Sequence, residues 1–137
     1  MTTQNDQAPT VFIVDDDAAI RFAMQALMDS VNLDHEIYGS GDEFLEKMTD
    51  QRPGCLVLDI RMPGLGGLEL QEELIKRGNT LPIIFITGHG DVPMAVEAMQ
   101  KGAVDFIQKP FRDQELLDRI REALATDEER RVAQQHH

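Results

Sequence analysis

Asp15, Asp16, Asp59, Thr87 and Lys109 stand out because each closes or directly follows an apolar run. "VFIV" leads into Asp15 and Asp16, "CLVL" into Asp59, "PIIFI" into Thr87, and "VDFIQ" into Lys109. Carboxylates brought close together repel one another, and their pKa values rise unless a cation offsets the charge. No His or Cys lies in the acidic cluster, so the ligands of such a cation are oxygens. A small, incomplete oxygen set suits a hard divalent ion that keeps waters, Mg²⁺ first and Mn²⁺ as its substitute. Asp59 is followed by the Pro/Gly loop "IRMPG", which turns its carboxylate toward a crevice, where it could act as a nucleophile. A carboxylate can take a phosphoryl group to give an aspartyl phosphate if cations neutralise the moving charge. Lys109 offers a mobile ammonium for that purpose, and Thr87 a hydroxyl donor to a phosphoryl oxygen.

Such residues converge only if the elements behind them place the run ends side by side. "VFIV", "CLVL" and "PIIFI" lack polar alternation and are rich in β-branched residues, as in strands of a parallel sheet buried on both faces. Two shorter runs, Glu36 to Tyr38 and Asp105 to Gln108, complete a set of five. Between them the period changes. Ile20, Met24, Leu27, Met28 and Val31 recur at spacings of three and four, as do Leu116, Leu117, Ile120 and Leu124, which predicts amphipathic helices facing a core.

Local signals punctuate these helices. Asp17 before "AAIRFAM" reads as an N-cap, and Ser40 with Glu43 as a capping box. Asp91 and Asp113 are expected N-caps, with Pro93 in a first turn, and Gly78 and Gly102 mark helix ends. Five repeats of strand then helix with short connections predict an α/β, doubly wound parallel sheet with helices on both faces. In the strand order 2-1-3-4-5, ligands bind beyond the carboxyl ends of strands one and three, where the acids would meet.

The 137 residues suit one domain, and the net charge of −12 opposes non-specific binding to nucleic acid. No apolar run is long enough to span a bilayer, and the polar start "MTTQNDQAPT" lacks a signal-peptide pattern, so a soluble, cytoplasmic protein with no membrane partner is expected. Cys55, the single cysteine, heads an apolar run and reads as a buried, inert thiol. The expected organisation is a flexible tail over 1–9, a domain over 10–125, and a charged tail or the start of a linker helix over 126–137. His136 and His137 read as a frayed end.

With "VDDD", "LDIRMPG" and "FITGHGDVPMAVEAMQKGAVDFIQKPF" in this order and spacing, the sequence resembles response-regulator receiver domains of two-component signalling, most closely the FixJ-type transcriptional regulators. The resemblance implies a flavodoxin-like, CheY-like fold with five helices. It implies Mg²⁺ held by Asp15, Asp16, Asp59 and the Arg61 backbone carbonyl, phosphorylation of Asp59 by a sensor histidine kinase, and contacts from Thr87 and Lys109 to the phosphoryl group. It further implies a Thr87–Phe106 switch acting on the face formed by helix 4, strand 5 and helix 5, and a cis peptide between Lys109 and Pro110. A homodimer on phosphorylation, and DNA contact through an effector domain outside this chain, follow from the same likeness. By that likeness His89, in a glycine-flanked loop, influences access to Asp59, although a solvated loop histidine is the plainer expectation. The alternative is a free-standing receiver acting by protein contact. A haloacid-dehalogenase-like phosphatase is more remote, since it needs a second Asp two positions after the nucleophile, where Arg61 stands.

Overall fold

The apolar runs that lack polar alternation become the central strands of a computed structural model describing residues 8–48 and 50–135. In chain order the elements are β1 (Thr10–Val14), α1 (Ala18–Ser30), β2 (His35–Tyr38), α2 (Gly41–Lys47), β3 (Gly54–Asp59), α3 (Gly67–Lys76), β4 (Ile83–Thr87), α4 (Val92–Gln100), β5 (Asp105–Gln108) and α5 (Asp113–Gln135). All strand pairs are parallel, and the sheet runs β2-β1-β3-β4-β5. The fold is therefore the doubly wound sheet that the alternation of periods predicts, and it is the CheY-like one that the resemblance implies. His136 and His137 lie outside the described residues, as do residues 1–7 of the expected tail.

Every residue of β1, β3 and β4 is buried, because helices cover both faces of the sheet. Phe12, Leu56, Leu58 and Phe85 pack with Phe44, Leu70, Ala95 and Ala98 of α2, α3 and α4. Their neighbours one residue along, Ile13, Val57, Ile84 and Ile86, pack with Met24, Met28, Leu116 and Ile120 of α1 and α5. Each of the larger side chains, Val, Leu, Ile, Phe or Met, contributes roughly 1.5–3 kcal/mol on burial. A one-residue slip in register would carry a whole strand's side chains to the opposite layer, so the two layers together hold the strand ends in place.

Some local signals act as expected and others do not. Asp17 caps α1, accepting from the Ala19 and Ile20 N–H groups. Ser40 accepts from the Glu43 N–H, but the Glu43 carboxylate reaches past Ser40 to the Gly39 N–H, so the box is displaced by one residue. Asp113 lies inside the first turn of α5 rather than ahead of it, and Asp91 makes no side-chain cap bond to α4.

Residues 126–135 continue α5 without a break, and its end is fastened to the domain. Asp127, 1% exposed, accepts from the Gly54 N–H at 2.9 Å and from Arg131 Nε at 3.0 Å, while Arg130 donates to the Thr80 carbonyl at 3.0 Å. The charged composition of this stretch hides the contacts to Gly54 and Thr80, which lie seventy-three and fifty positions away.

Gly54, at the start of β3, has φ 145°, and a Cβ there would lie 1.9 Å from the Thr10 carbonyl oxygen. Gly54→Ala is expected to destabilise the fold by about 3 kcal/mol or more, through backbone strain and separation of β1 from β3. Urea unfolding of both proteins checks this, and equal midpoints would contradict it.

Candidate functional site

Register alone brings the polar strand ends together. Val14 lies opposite Leu58, so Asp15 and Asp59 follow at adjacent strand ends. Asp59 pairs with Ile86, placing Thr87 one step beyond it, and Thr87 pairs with Gln108, so Lys109 comes next. The Lys109 N–H donates to the Thr87 carbonyl at 2.7 Å, and the Lys109–Pro110 peptide is cis. Carboxylate oxygens of Asp15, Asp16 and Asp59 all lie within 4.8 Å of one another. The crevice sits between β1 and β3, where the order of strands reverses, as expected for a ligand site of this architecture.

Burial divides the three acids. Asp15 is 1% exposed and Asp59 8%, whereas Asp16 faces solvent. Asp15 Oδ1 accepts from the Asp17 N–H at 2.8 Å, but its Oδ2 is buried without a hydrogen-bond partner. Asp59 Oδ1 accepts a long bond, 3.4 Å, from the Arg61 N–H. The Thr87 hydroxyl is likewise buried and unpartnered, although a hydroxyl normally finds a partner when it leaves water.

Burial raises the Asp59 pKa to about 6, and the neighbouring Asp15 charge adds to the rise against the pull of Lys109 and the Arg61 N–H. Burial also pushes Asp15 upward, opposed by its bond from the Asp17 N–H and by Lys109. Each acid thus makes the other harder to ionise. The donor set fits a hard divalent cation: three anionic oxygens converge, one of them a buried oxygen without a donor, and no softer ligand joins the group. Burial pushes the Cys55 thiol up to about 12, which agrees with an inert packing residue.

Around this centre the remaining predicted residues take distinct places. Phe106, opposite Phe85 on β5, is half-buried against the α2–α4 layer. His89 is exposed, with Nδ1 3.4 Å from Gln108 Nε2, and belongs to no acid cluster among the described residues. The Arg61 side chain is directed to Asp91, its Nε 2.7 Å from Asp91 Oδ1. Sequence spacing does not reveal that pair, which spans two loops, nor the bond from Arg21 to the Asp15 carbonyl at 2.8 Å. The nearest signal is an acid, Asp91, following a glycine-rich loop, where local spacing predicts a cap.

The family profile for the response regulator receiver domain matches residues 11–121, and the chain belongs to that family. It is a receiver domain of two-component signalling, and its relatives include transcriptional regulatory proteins. The chain is 49% identical over 132 residues to Nodulation protein W of Bradyrhizobium diazoefficiens, covering 96% of this chain and 58% of that protein. It is 43% identical over 114 residues to the transcriptional regulatory protein FixJ of the same organism, covering 83% of this chain and 56% of FixJ. Among solved structures, the response regulator StyR superposes with a TM-score of 0.89 at 46% identity, covering 95% of this chain and 66% of that one. The crystal structure of FixJ-N gives 0.82 at 44% identity, covering 87% and 95%. The chain spans little more than half the length of the curated relatives it matches.

The raised Asp59 pKa predicts an unusual pH dependence in metal-free solution. Between the ordinary aspartate value of 3.8 and about 6, the folded chain holds a proton on Asp59 that the unfolded chain has released. The Asp59 contribution to stability therefore falls as pH rises through that window. Asp59→Asn should raise the melting temperature above pH 6, with the gain vanishing toward pH 4. Melting curves of both proteins in chelator test this, and a gain independent of pH would contradict it.

Proposed function

We propose that this receiver accepts a phosphoryl group on Asp59 from the phosphohistidine of a sensor histidine kinase. In the transfer, an Asp59 carboxylate oxygen attacks phosphorus, the P–O bond forms as the P–N bond breaks, and the imidazole nitrogen leaves with the electron pair. The observation that carries this reading is the convergence of Asp59 with Asp15, Asp16, Thr87 and Lys109 at four strand ends. Asp15, Asp16 and Asp59, with the Arg61 backbone carbonyl, would hold Mg²⁺ or Mn²⁺. When bound, the cation supplies positive charge that neutralises acids and phosphoryl oxygens alike. Lys109 provides a second positive charge toward the transferred group, and its attraction to Asp59 is already expressed in the carboxylate's titration. The buried Thr87 hydroxyl, lacking a partner, is suited to donate to a phosphoryl oxygen once one arrives. The chain acts as a switch and catalyses only its own phosphorylation and dephosphorylation.

Movement of Thr87 toward the phosphoryl group would free space for Phe106 and alter the α4–β5–α5 face. That face is suited to contact a partner: Val92, Val96 and Met99 form an exposed apolar stripe along α4. A phosphorylation-dependent homodimer is the output we assign to it. DNA would be contacted through an effector domain following α5, in keeping with the net charge of −12 and with the greater length of the regulatory relatives. A cytoplasmic location accords with this partnership. No helix among the described residues is long and apolar enough to cross a membrane.

A haloacid-dehalogenase-like phosphatase would need a carboxylate at position 61, where the side chain is instead an arginine paired with Asp91. Incubation with acetyl phosphate and Mg²⁺ is expected to place one hydroxylamine-labile acyl phosphate on the wild-type chain and none on Asp59→Asn, read by intact mass. Undiminished labelling of that variant would overturn the assignment. Asp16→Ala should weaken Mg²⁺ binding at least about tenfold in a titration, because an anionic ligand is lost. An unchanged affinity would remove Asp16 from the metal set.

A further inference from the structure

Two aspartates stand ahead of helices in this protein and are used in opposite ways. Asp17, extended at φ −87°, ψ 116°, caps α1 with its carboxylate, and Ser40 at φ −156°, ψ 158° does the same for α2. Asp91 holds the corresponding position before α4. At φ −105°, ψ 7° it lies outside the extended region that capping residues adopt, and its side chain makes no cap bond. Its carboxylate, in a residue 7% exposed, accepts instead from Arg61 Nε at 2.7 Å. Arg61 sits in the loop following Asp59, and its own N–H donates to Asp59 Oδ1. One ion pair therefore ties the loop beside Asp59 to the first turn of the helix that follows Thr87.

The Asp91 carboxylate cannot hold Arg61 and cap α4 in the same conformation, because capping requires the extended backbone. N-cap side chains accept from the second or third helical N–H. The second residue of α4 is Pro93, which has no N–H, so Met94 supplies the donor. First-turn N–H groups have no intrahelical partner, which leaves Met94 able to use a cap. The preceding loop can absorb the rotation, since Gly90 already has φ 88° and the turn is closed by a single Asp91 N–H bond to the Gly88 carbonyl.

We propose that Asp91 is a positioning residue of the Asp59 site with two exclusive partners. Paired with Arg61, it steadies the loop beside Asp59 and leaves α4 uncapped. Released, it caps α4 through the Met94 N–H, and this exchange carries the state of Asp59 to the α4 face. The inference rests on the phosphoacceptor role of Asp59. A half-exposed ion pair and an N-cap are comparable in strength, so a modest bias at Asp59 suffices to choose between them.

Three variants separate the two partners. Asp91→Asn loses the ion pair but can still cap, Arg61→Gln frees the native carboxylate, and Asp91→Ala can do neither. Hydrogen exchange and chemical shift of the Met94 amide are read by NMR in each protein, with and without beryllofluoride and Mg²⁺. Without the analogue, Asp91→Asn and Arg61→Gln should slow Met94 exchange roughly fivefold. They should also move its resonance toward the wild-type position with analogue, while Asp91→Ala should exchange at least as fast as wild type. Met94 amides of Asp91→Asn and Arg61→Gln that match wild type would overturn the proposal, as would Asp91→Ala behaving like those two. Thermal unfolding confirms that each variant is folded, and if Asp91→Ala is not, the Arg61→Gln comparison decides. If wild type and Asp59→Asn respond alike to beryllofluoride, the phosphoacceptor role fails instead, while the analogue-free exchange rates still report on the Asp91 partners.

Discussion

The mutual repulsion of two buried carboxylates, Asp15 and Asp59, is the constraint on which the rest of this structure turns. A parallel register between β1 and β3 forces them side by side, and the packed layers on both faces prevent either strand from sliding to relieve the strain. Local donors offset only part of the charge: the Asp17 N–H on Asp15, the Arg61 N–H on Asp59, and the Lys109 ammonium acting on both. Such an arrangement is unfavourable for stability alone and favourable for a site that draws in a cation and an anionic group together.

From that centre, two chains of contact lead toward the α4 face proposed for output. One passes along β4 and β5, where the unpartnered Thr87 hydroxyl and the half-buried Phe106 lie on neighbouring strands. The other passes through the loops, where Arg61 reaches from the segment after β3 to Asp91 at the head of α4. Both meet α4, whose exposed Val92, Val96 and Met99 stay out of the core. The opposite end of the sheet is built for rigidity: Gly54 admits the Thr10 carbonyl closely, and Asp127 fastens α5 beneath it. Adaptable groups and fixed ones are thus kept at opposite ends of the strands, as in other open α/β sheets that bind ligands at their carboxyl ends.

Much of this was legible in the order of residue types. Unbroken β-branched runs named the buried strands, changes of period named the helices, and the polar residues closing the runs named the groups that meet at one end of the sheet. Asp17 and Ser40 could be read as caps because a cap bonds to residues two or three positions ahead, a distance that sequence displays directly. The end of α5 was less legible. Its charged composition resembles a solvated tail, and the partner of Asp127 is a backbone N–H seventy-three positions away that carries no mark of its own.

By itself, then, the sequence determined which elements form and which chemical groups lie at their ends, since both depend on periodicity and on neighbours within a few residues. Tertiary structure decided which of several available partners each charged group takes. Asp17 and Asp91 are the same residue in the same position before a helix, yet one caps and the other holds Arg61. The difference is that folding brings a guanidinium from a distant loop within 2.7 Å of Asp91, together with a backbone turned out of the capping conformation. No local rule contains that distance, because it is set by the register of β3 against β4.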